Sequence, residues 1–245
     1  MANIIGVIPA RWGSTRFPGK PLHPIAGKPL VLHVWDQCTK CTKLAGLVIA
    51  TDDSRIKEAC EAHGAKVVMT SDQHPTGTDR LVEVADGNPA ATHFINIQGD
   101  EPLIAPALVD QLADELALDK TLEMVTAATP IRSQALIQDT NVVKVVLNQK
   151  RDALYFSRAP IPHIRNEVEG TPFYRHLGIY GYQTSFLKSY STLGRSTLEE
   201  SESLEQLRAL DYGARIRVVI TKDDAMGVDT LEQANEVERL LNLAT

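Results

Sequence analysis

Two successive patterns of hydrophobic residues run along this chain of 245 residues, and the first of them most constrains the fold. Up to about residue 120, short apolar runs bounded by turn residues alternate with stretches of helical spacing. The apolar runs are IIGVIPA, LVIATDD, KVVMT and HFINIQGDEP, and the helical stretches include PLVLHVWDQCTKC, SRIKEACEAHG, GTDRLVEVADG and PALVDQLADELAL. This alternation predicts an α/β fold with a mostly parallel central sheet and crossover helices.

The pattern changes in the second half of the chain. The strand-like stretches EMVTAATPI, NVVKVVLN, DALYFSRAPIP and LGIYGYQ follow one another without long helices between them. They predict antiparallel additions to the sheet, or a lobe folded over its carboxyl edge. A helical stretch (LEESESLEQLRAL), a strand (IRVVIT) and a closing helix (TLEQANEVERLLNLA) complete the chain. Since no repeat or long linker interrupts it, we predict a single α/β domain over 1–245 with an inserted lobe at roughly 130–195.

Composition excludes some classes of function. The formal net charge is −6, which argues against a general binder of nucleic acid or anionic membranes, because phosphate backbones require a broad basic face. No apolar run approaches the roughly 20 residues that span a bilayer, and the N-terminus lacks the cationic start of a signal peptide. Three cysteines are an odd number, and without an export signal they favour a reducing cytoplasm.

Two of the cysteines, Cys38 and Cys41, form a CxxC motif. No second Cys or His pair stands at zinc spacing. The motif also lies at the end of a predicted helix, whereas a redox thiolate would gain from the dipole at a helix start. Ordinary thiols are therefore favoured over a metal or redox site.

A cluster of cations follows the first predicted strand. Arg11, Arg16 and Lys20 lie on a short loop that also contains Gly13 and Gly19. Glycines allow backbone N–H groups to approach an anion closely, and the three cations repel one another unless an anion lies among them. The loop matches neither the Walker nor the dinucleotide fingerprint. It indicates a phosphate site, with a solvated basic loop as the alternative.

Two acids follow distant predicted strands. Asp100, in NIQGDEP, ends one apolar strand, and Asp229, in GVDT, follows another. Ligands in open α/β sheets bind at the carboxyl ends of strands, so both acids are expected near the phosphate loop. Carboxylates and phosphates share a site when a cation lies between them, and Mg²⁺ suits this ligand set. The alternatives are a surface turn for Asp100 and a helix cap for Asp229.

Together, a cationic phosphate loop and two separated aspartates suggest nucleotidyl transfer, in which a nucleophile attacks the α-phosphate of a nucleoside triphosphate and pyrophosphate leaves. The stretch IPARWGSTRFPGKPL is similar to the opening signature of the bacterial sugar-acid cytidylyltransferases. The similarity continues in order through ATDD, GTDR, INIQGDEP, KVV, ALYFSRAPIP, RHLGIYGY, LEQLRAL and GVDT. It is greatest to the members of that family that use 3-deoxy-manno-octulosonate (Kdo).

The resemblance implies an enzyme with a Rossmann-like nucleotidyltransferase fold. The implied reaction converts CTP and Kdo, with Mg²⁺, into CMP-Kdo and pyrophosphate for lipopolysaccharide biosynthesis. The resemblance also implies a homodimer whose interface is built largely from the inserted lobe, which would then be an antiparallel dimerisation lobe. No nucleic-acid partner is implied.

The family's functional positions carry over to particular residues of this chain. The triphosphate loop corresponds to Arg11, Ser14, Arg16 and Lys20, and the nucleotide is bordered by Thr78 and Arg80. Asp100 and Asp229 correspond to the magnesium ligands and, with Arg11 and Lys20, form the predicted catalytic set. The sugar pocket corresponds to Gln98, Arg158, His176, Tyr180, Glu205 and Gln206.

The chemistry of a sugar acid agrees with that pocket. Its carboxylate requires a well-positioned cation, for which we select Arg158, and its hydroxyls require hydrogen-bond partners. The alternatives are an exposed helix face for Glu205 and Gln206, a structural histidine at 176 and a core tyrosine at 180. For the activity, the alternatives are a CMP-sialic acid synthetase, a cytidylyltransferase for an 8-amino Kdo analogue, a sugar-1-phosphate nucleotidyltransferase and a non-catalytic nucleotide-binding protein. The chain departs from the family pattern at Pro75, Thr76 and Asn166.

Overall fold

The structure is a computed structural model that describes residues 2–13, 17–74, 76–166, 168, 170, 172–223 and 227–243. Its strands are β1 (Ile4–Ala10), β2 (Pro24–Ile25), β3 (Lys28–Pro29), β4 (Gly46–Thr51), β5 (Val67–Met69), β6 (His93–Asn96), β7 (Met124–Ile131), β8 (Lys144–Leu147), β9 (Ala153–Ser157), β10 (Phe173–Gln183) and β11 (Ile216–Ile220). Its helices are α1 (Leu30–Cys38), α2 (Ser54–Ala62), α3 (Gly77–Asp86), α4 (Pro106–Leu118), α5 (Gln134–Gln138), α6 (Thr184–Tyr190), α7 (Thr197–Glu202), α8 (Gln206–Asp211) and α9 (Leu231–Leu243).

The chain separates into two compact units. Unit 1 comprises residues 1–114 and 223–245, and unit 2 comprises residues 115–222. The predicted single domain, with a lobe at roughly 130–195, stays a prediction. Among the helices of the described ranges, none combines the length and the apolar character needed to cross a bilayer.

Unit 1 contains a parallel sheet in the order β6–β1–β4–β5. Its central strand, β1, is almost entirely apolar and has Val7 and Ile8 completely buried. A strand buried on both faces reads as a continuous apolar run, which explains the IIGVIPA pattern. Helices α1, α2 and α3 follow one strand each as crossovers, and their starts are set locally: Asp53 caps α2, and Thr76 with Asp79 forms a capping box at α3.

Unit 2 contains mixed strand pairings. Strand β11 pairs with β7 in parallel, whereas the pairs β7–β10, β10–β8 and β8–β9 are antiparallel. The predicted α/β class, with a mostly parallel sheet and antiparallel additions, is confirmed. The short helices α5 and α6 and the small β2–β3 hairpin were not predicted from the sequence, because each is too short to show a hydrophobic period.

One predicted helix is divided in two. The stretch LEESESLEQLRAL forms α7 and α8, because Ser203 adopts the left-handed conformation with φ 51 and ends α7. Glu205 is therefore the residue that precedes α8, and Gln206 is the first residue within it. Both residues therefore lie side by side at the N-terminal end of α8.

Candidate active site

The loop after β1 is held in place by contacts within unit 1. Arg11 is exposed, and the guanidinium of Arg55 lies 3.4 Å from the centre of the Trp12 ring. The backbone N–H of Gly19 donates to the Trp12 carbonyl at 3.3 Å, and Gly19 has φ 68, a conformation that glycine adopts without strain. This turn leads directly into a short 3-10 helix (Lys20–Leu22). Two predicted site residues, Ser14 and Arg16, lie outside the described residues.

Three predicted residues meet in unit 1. Lys20 Nζ donates to Asp100 Oδ2 at 2.6 Å and to Asp229 Oδ1 at 3.0 Å. The segments that contain the two acids are also joined by their backbones, because the N–H of Val228 donates to the carbonyl of Asp100 at 2.9 Å. The structure thus brings together one cation from the first loop and two carboxylates that are far apart in sequence.

The charges of this cluster remain accessible. The side chains of Lys20, Asp100 and Asp229 are 15%, 30% and 47% exposed. Burial alone would lower the pKa of Lys20, but the two neighbouring carboxylates outweigh it and raise that pKa above its ordinary value. Lys20 is therefore charged throughout the physiological pH range, between two partly exposed anions.

Gly99 fixes the position of Asp100. A Cβ atom at residue 99 would lie 2.5 Å from the carbonyl oxygen of Pro9, which is far closer than a real contact allows. The chain after β6 can therefore approach the end of β1 only because residue 99 lacks a side chain. Close packing of these two strand ends places Asp100 beside the loop that contains Lys20.

The two aspartates fit a magnesium site in chemical type. Within the described ranges, no group of three or more His, Cys, Asp or Glu side chains could hold a metal by itself. Mg²⁺, however, is commonly bound by one or two carboxylates together with substrate phosphates and water. In this structure the same two carboxylates already share one cation, the Lys20 ammonium.

The predicted nucleotide-bordering residues Thr78 and Arg80 lie on α3 and are buried. The guanidinium of Arg80 is 0% exposed, bonds Asp52 Oδ2 at 2.5 Å and also bonds the Thr70 hydroxyl. Among the described residues, its buried Nε has no hydrogen-bond partner. Arg80 therefore ties α3 to the ends of β4 and β5, and its predicted role beside a nucleotide stays a prediction.

The predicted sugar-pocket residues belong to both units. Gln98 lies in unit 1, directly before Gly99, and its carbonyl accepts from the Glu101 N–H at 3.3 Å. The others lie in unit 2 and are Arg158, His176, Tyr180, Glu205 and Gln206.

His176 and Tyr180 are brought together by an irregularity in β10. The register against β7 shifts between Leu177 and Tyr180, and the two ring centres lie 5.4 Å apart. Four residues of a regular strand would span about 13 Å. Burial raises the pKa of Tyr180, which keeps its hydroxyl protonated. The β-bulge thus converts two distant strand positions into one aromatic pair.

His176 is held as a neutral ring. Desolvation lowers the pKa of His176 to about 3. Its Nε2 lies 3.0 Å from the hydroxyl of Thr126, and that hydroxyl donates to the carbonyl of Ile179 at 2.8 Å. Since a hydroxyl has a single hydrogen, we assign the ring proton to Nε2, which donates to Thr126 and leaves Nδ1 as the acceptor.

Gln206 is a buried residue with an unused donor. Its side chain is 4% exposed, and its Nε2 has no hydrogen-bond partner in the described structure. The carbonyl of the preceding residue, Glu205, accepts from the hydroxyl of Tyr190 at 2.7 Å. A buried amide without a partner is costly unless something else satisfies it, as a polar ligand can. The exposed-face alternative for Gln206 is wrong.

Arg158 is partly buried and is anchored by two neutral oxygens. Its Nε donates to the carbonyl of Glu202 at 2.8 Å, and its Nη1 donates to the carbonyl of Thr140 at 3.1 Å. Sequence reasoning did not select the groups that support the site, among them Thr126, Lys144 and Glu202. A lysine within the apolar run NVVKVVLN was a usable signal for Lys144.

Comparison with known proteins gives consistent results. Residues 5–216 match the profile of the family described as Cytidylyltransferase. The 3-deoxy-manno-octulosonate cytidylyltransferase of Solibacter usitatus is 49% identical over 97% of this chain and 94% of its own length. That of Geobacter metallireducens is 44% identical over 98% of each chain. The solved structure of CMP:2-keto-3-deoxy-manno-octonic acid synthetase complexed with CTP is 42% identical, has a TM-score of 0.96, and is matched over 100% of both chains.

Proposed function

This chain belongs to the 3-deoxy-manno-octulosonate cytidylyltransferase family, and on that premise we propose that it transfers CMP from CTP to Kdo and releases pyrophosphate. The product, CMP-Kdo, is the activated sugar for lipopolysaccharide biosynthesis. The membership confirms the resemblance seen in the sequence and the assignment to nucleotidyltransferase enzymes.

The observation that carries the proposal is the meeting of Lys20, Asp100 and Asp229 around a single point in unit 1. A protein that only bound nucleotides would need cations for the phosphates, but it would not need two converging carboxylates beside them. Nucleotidyl transfer needs both, because charge moves from the α-phosphate to the departing pyrophosphate during the reaction. The cluster supplies groups of both signs.

In the proposed reaction, the 2-hydroxyl oxygen of the sugar attacks the α-phosphorus of CTP. A new oxygen–phosphorus bond forms, the bond to the β-phosphate bridging oxygen breaks, and pyrophosphate leaves with that electron pair while the hydroxyl proton is released. Arg11, Arg16 and Lys20, with Ser14, bind the triphosphate and stabilise its charge. Thr78 and Arg80 border the nucleotide.

We propose Mg²⁺ as the cofactor, with Asp100 and Asp229 as its protein ligands. When bound, it would supply positive charge to the phosphate oxygens and acidify the attacking hydroxyl. The partial exposure of both carboxylates supports this role, since a metal ion with its water and phosphate ligands needs an accessible site.

The sugar acid is proposed to bind through Gln98, Arg158, His176, Tyr180, Glu205 and Gln206. Arg158 pairs with the carboxylate, because a guanidinium binds a carboxylate with two parallel hydrogen bonds. The neutral His176, the protonated Tyr180 and the Gln206 Nε2, which has no partner among the described residues, are suited to sugar hydroxyls. Hydroxyl recognition by buried polar groups is selective, because an analogue without the hydroxyl leaves those groups unpaired.

A homodimer and a cytoplasmic location are also proposed. Unit 2 exposes several large apolar side chains, among them Leu136, Leu154 and Ile164, which supports association through this part of the chain. The three cysteines are all free thiols, which supports a reducing compartment. Light scattering on a size-exclusion column tests the dimer, and Leu154→Lys should shift it towards monomers.

The activity is tested by measuring pyrophosphate release with Kdo, CTP and Mg²⁺, and by replacing CTP with ATP, GTP or UTP. We expect release only with CTP, and only when Kdo and Mg²⁺ are both present. A faster reaction with sialic acid, an 8-amino Kdo analogue or a sugar 1-phosphate would assign a different substrate. Binding of CTP without release with any acceptor would instead indicate a non-catalytic nucleotide-binding protein.

A further inference from the structure

Unit 2 contains a group of side chains that holds the backbone N–H and the backbone carbonyl of Arg158 by hydrogen bonds. We call it the Arg158 clamp, and it consists of Lys144 on β8, Glu202 at the end of α7, and Ser157 at the end of β9. None of the three was selected from the sequence as a site residue.

Lys144 is the buried cation of the clamp. The residue is 0% exposed, and its ammonium donates to the carbonyls of Asp139 at 2.9 Å, Val142 at 2.6 Å and Arg158 at 2.5 Å. An ammonium has three N–H donors, and here three carbonyls accept them. Burial lowers the pKa of Lys144, but the charge is retained at neutral pH because every donor has an acceptor.

Glu202 is the anion of the clamp. Its Oε2 accepts from the backbone N–H of Arg158 at 2.9 Å, and its Oε1 accepts from the hydroxyl of Ser157 at 2.6 Å. The hydroxyl of Ser157 accepts in turn from the N–H of Ala159 at 3.0 Å. Both backbone polar groups of Arg158 are thus bound by opposite charges, the N–H by Glu202 and the carbonyl by Lys144.

The same clamp directs the side chain of Arg158. The Nε donates to the backbone carbonyl of Glu202, so the residue that fixes the backbone also fixes the guanidinium. That bond and the bond to Thr140 go to neutral carbonyl oxygens. The guanidinium therefore keeps its positive charge for an incoming anion, while its position is set at several points.

We infer that Lys144 and Glu202 are positioning residues, which act through Arg158 to set the affinity for the carboxylate of the sugar acid. This inference rests on the proposed function, in which Arg158 pairs with that carboxylate. A bidentate guanidinium–carboxylate pair depends strongly on orientation, so a small displacement of Arg158 weakens it. CTP, which is not assigned to Arg158, should be affected little.

The test compares KM for Kdo with KM for CTP in Lys144→Met and Glu202→Gln. The first change removes the buried charge but keeps a long apolar side chain, and the second leaves one oxygen for two donors. In each variant we expect KM for Kdo to rise about tenfold or more, with KM for CTP within about twofold of the unmodified protein. Glu202 is partly exposed, so its substitution disturbs folding less than that of the buried Lys144. If Lys144→Met fails to fold, Glu202→Gln alone tests the inference.

Arg217→Met is the matched control. Arg217 also makes partly buried ion pairs in unit 2, at 2.7 Å to Asp152 and 2.9 Å to Glu115, and it lies next to the other end of β9. Its loss should lower stability without changing the ratio of the two KM values. An equal change in that ratio in the control would show that general loosening of unit 2 is responsible, and would overturn the inference.

A double-variant experiment separates the inference from the proposed function. If Lys144 acts through Arg158, adding Lys144→Met to Arg158→Ala should not raise KM for Kdo further. A further rise of about tenfold overturns the inference while leaving the role of Arg158 intact. An unchanged KM for Kdo in Arg158→Ala itself, or no pyrophosphate release by the unmodified protein, overturns the assignment on which the inference rests.

Discussion

Two charged clusters, that of Lys20 in unit 1 and that of Lys144 in unit 2, are built in opposite ways. In unit 1, Lys20 pairs with Asp100 and Asp229 through side chains alone, and all three remain partly exposed. In unit 2, the ammonium of Lys144 is completely buried and donates to three backbone carbonyls. The first cluster holds charge where a ligand can reach it, whereas the second uses charge to fix the chain.

This difference indicates which charges take part in chemistry. An exposed ion pair contributes little to stability and can exchange one partner for a ligand at low cost. A buried charge that loses its partners stays out of water without compensation, which is strongly destabilising, so its contribution is structural. By this reasoning Lys20 and the two aspartates belong to the reaction, while Lys144 and Arg80 belong to the framework.

The largest expected effect tests the unit 1 cluster. Asp100→Asn should lower turnover about 10³-fold while CTP still binds, because a proposed metal ligand and its charge are lost. The measurement is pyrophosphate release beside CTP binding by calorimetry. Asp114→Asn, at a partly exposed aspartate paired with Lys43, is the matched control and should be nearly normal. Near-normal turnover in Asp100→Asn would remove the metal assignment.

The next effect tests whether Arg80 belongs to the framework. Arg80→Met should lower the free energy of unfolding by about 3 kcal/mol, because it leaves the Asp52 carboxylate without its buried partner. Urea denaturation measures this loss. Arg239→Met removes an exposed pair with Glu236 and should change stability by less than about 1 kcal/mol. A stable Arg80→Met protein with weakened CTP binding would show that Arg80 acts chiefly on the bordering nucleotide and contributes little to the framework.

A smaller effect is expected from the close contact behind Asp100. Gly99→Ala should destabilise the protein by about 1–3 kcal/mol and also slow turnover, because the added methyl group meets the Pro9 carbonyl and displaces Asp100. Urea denaturation and the pyrophosphate assay are run together. Gly87→Ala, where the nearest atom is at 3.6 Å, should be neutral or slightly stabilising. Equal behaviour of the two variants would contradict the packing argument.

The last prediction concerns how the free energy of unfolding depends on pH through the neutral His176. Its folded-state pKa of about 3 lies below the ordinary value of 6.5, so between these values the unfolded chain binds a proton that the folded protein does not. The contribution of His176 to stability therefore falls as pH decreases through this window, by at most about 1.4 kcal/mol per pH unit. His176→Gln should reduce this pH dependence between pH 4 and 6.5. If the free energy of unfolding has the same slope against pH in His176→Gln and in the unmodified protein, His176 protonates readily in the folded state.

Local sequence patterns predicted the presence of strands and helices better than they predicted where a helix is interrupted or how a strand is registered against its neighbour. The strand-like runs and long helical stretches became strands and helices because each repeats a burial pattern over several residues. The division of one predicted helix at Ser203 depends on a single left-handed residue, which no period reveals. The pairing of His176 with Tyr180 likewise depends on a bulge in β10, and the register of a strand is set by its partner.

The sequence by itself determined the α/β class, the family and the residue types available for catalysis. Hydrophobic periods and motif spacing are local patterns, so they can be read directly along the chain. The sequence predicted that Asp100 and Asp229 lie near the loop of Lys20, but only the tertiary structure gave their direct contacts with its ammonium. Only the tertiary structure showed that Lys144 and Glu202 hold Arg158. These contacts join residues up to 209 positions apart. Their strength depends on burial and distance, which exist only after the chain has folded.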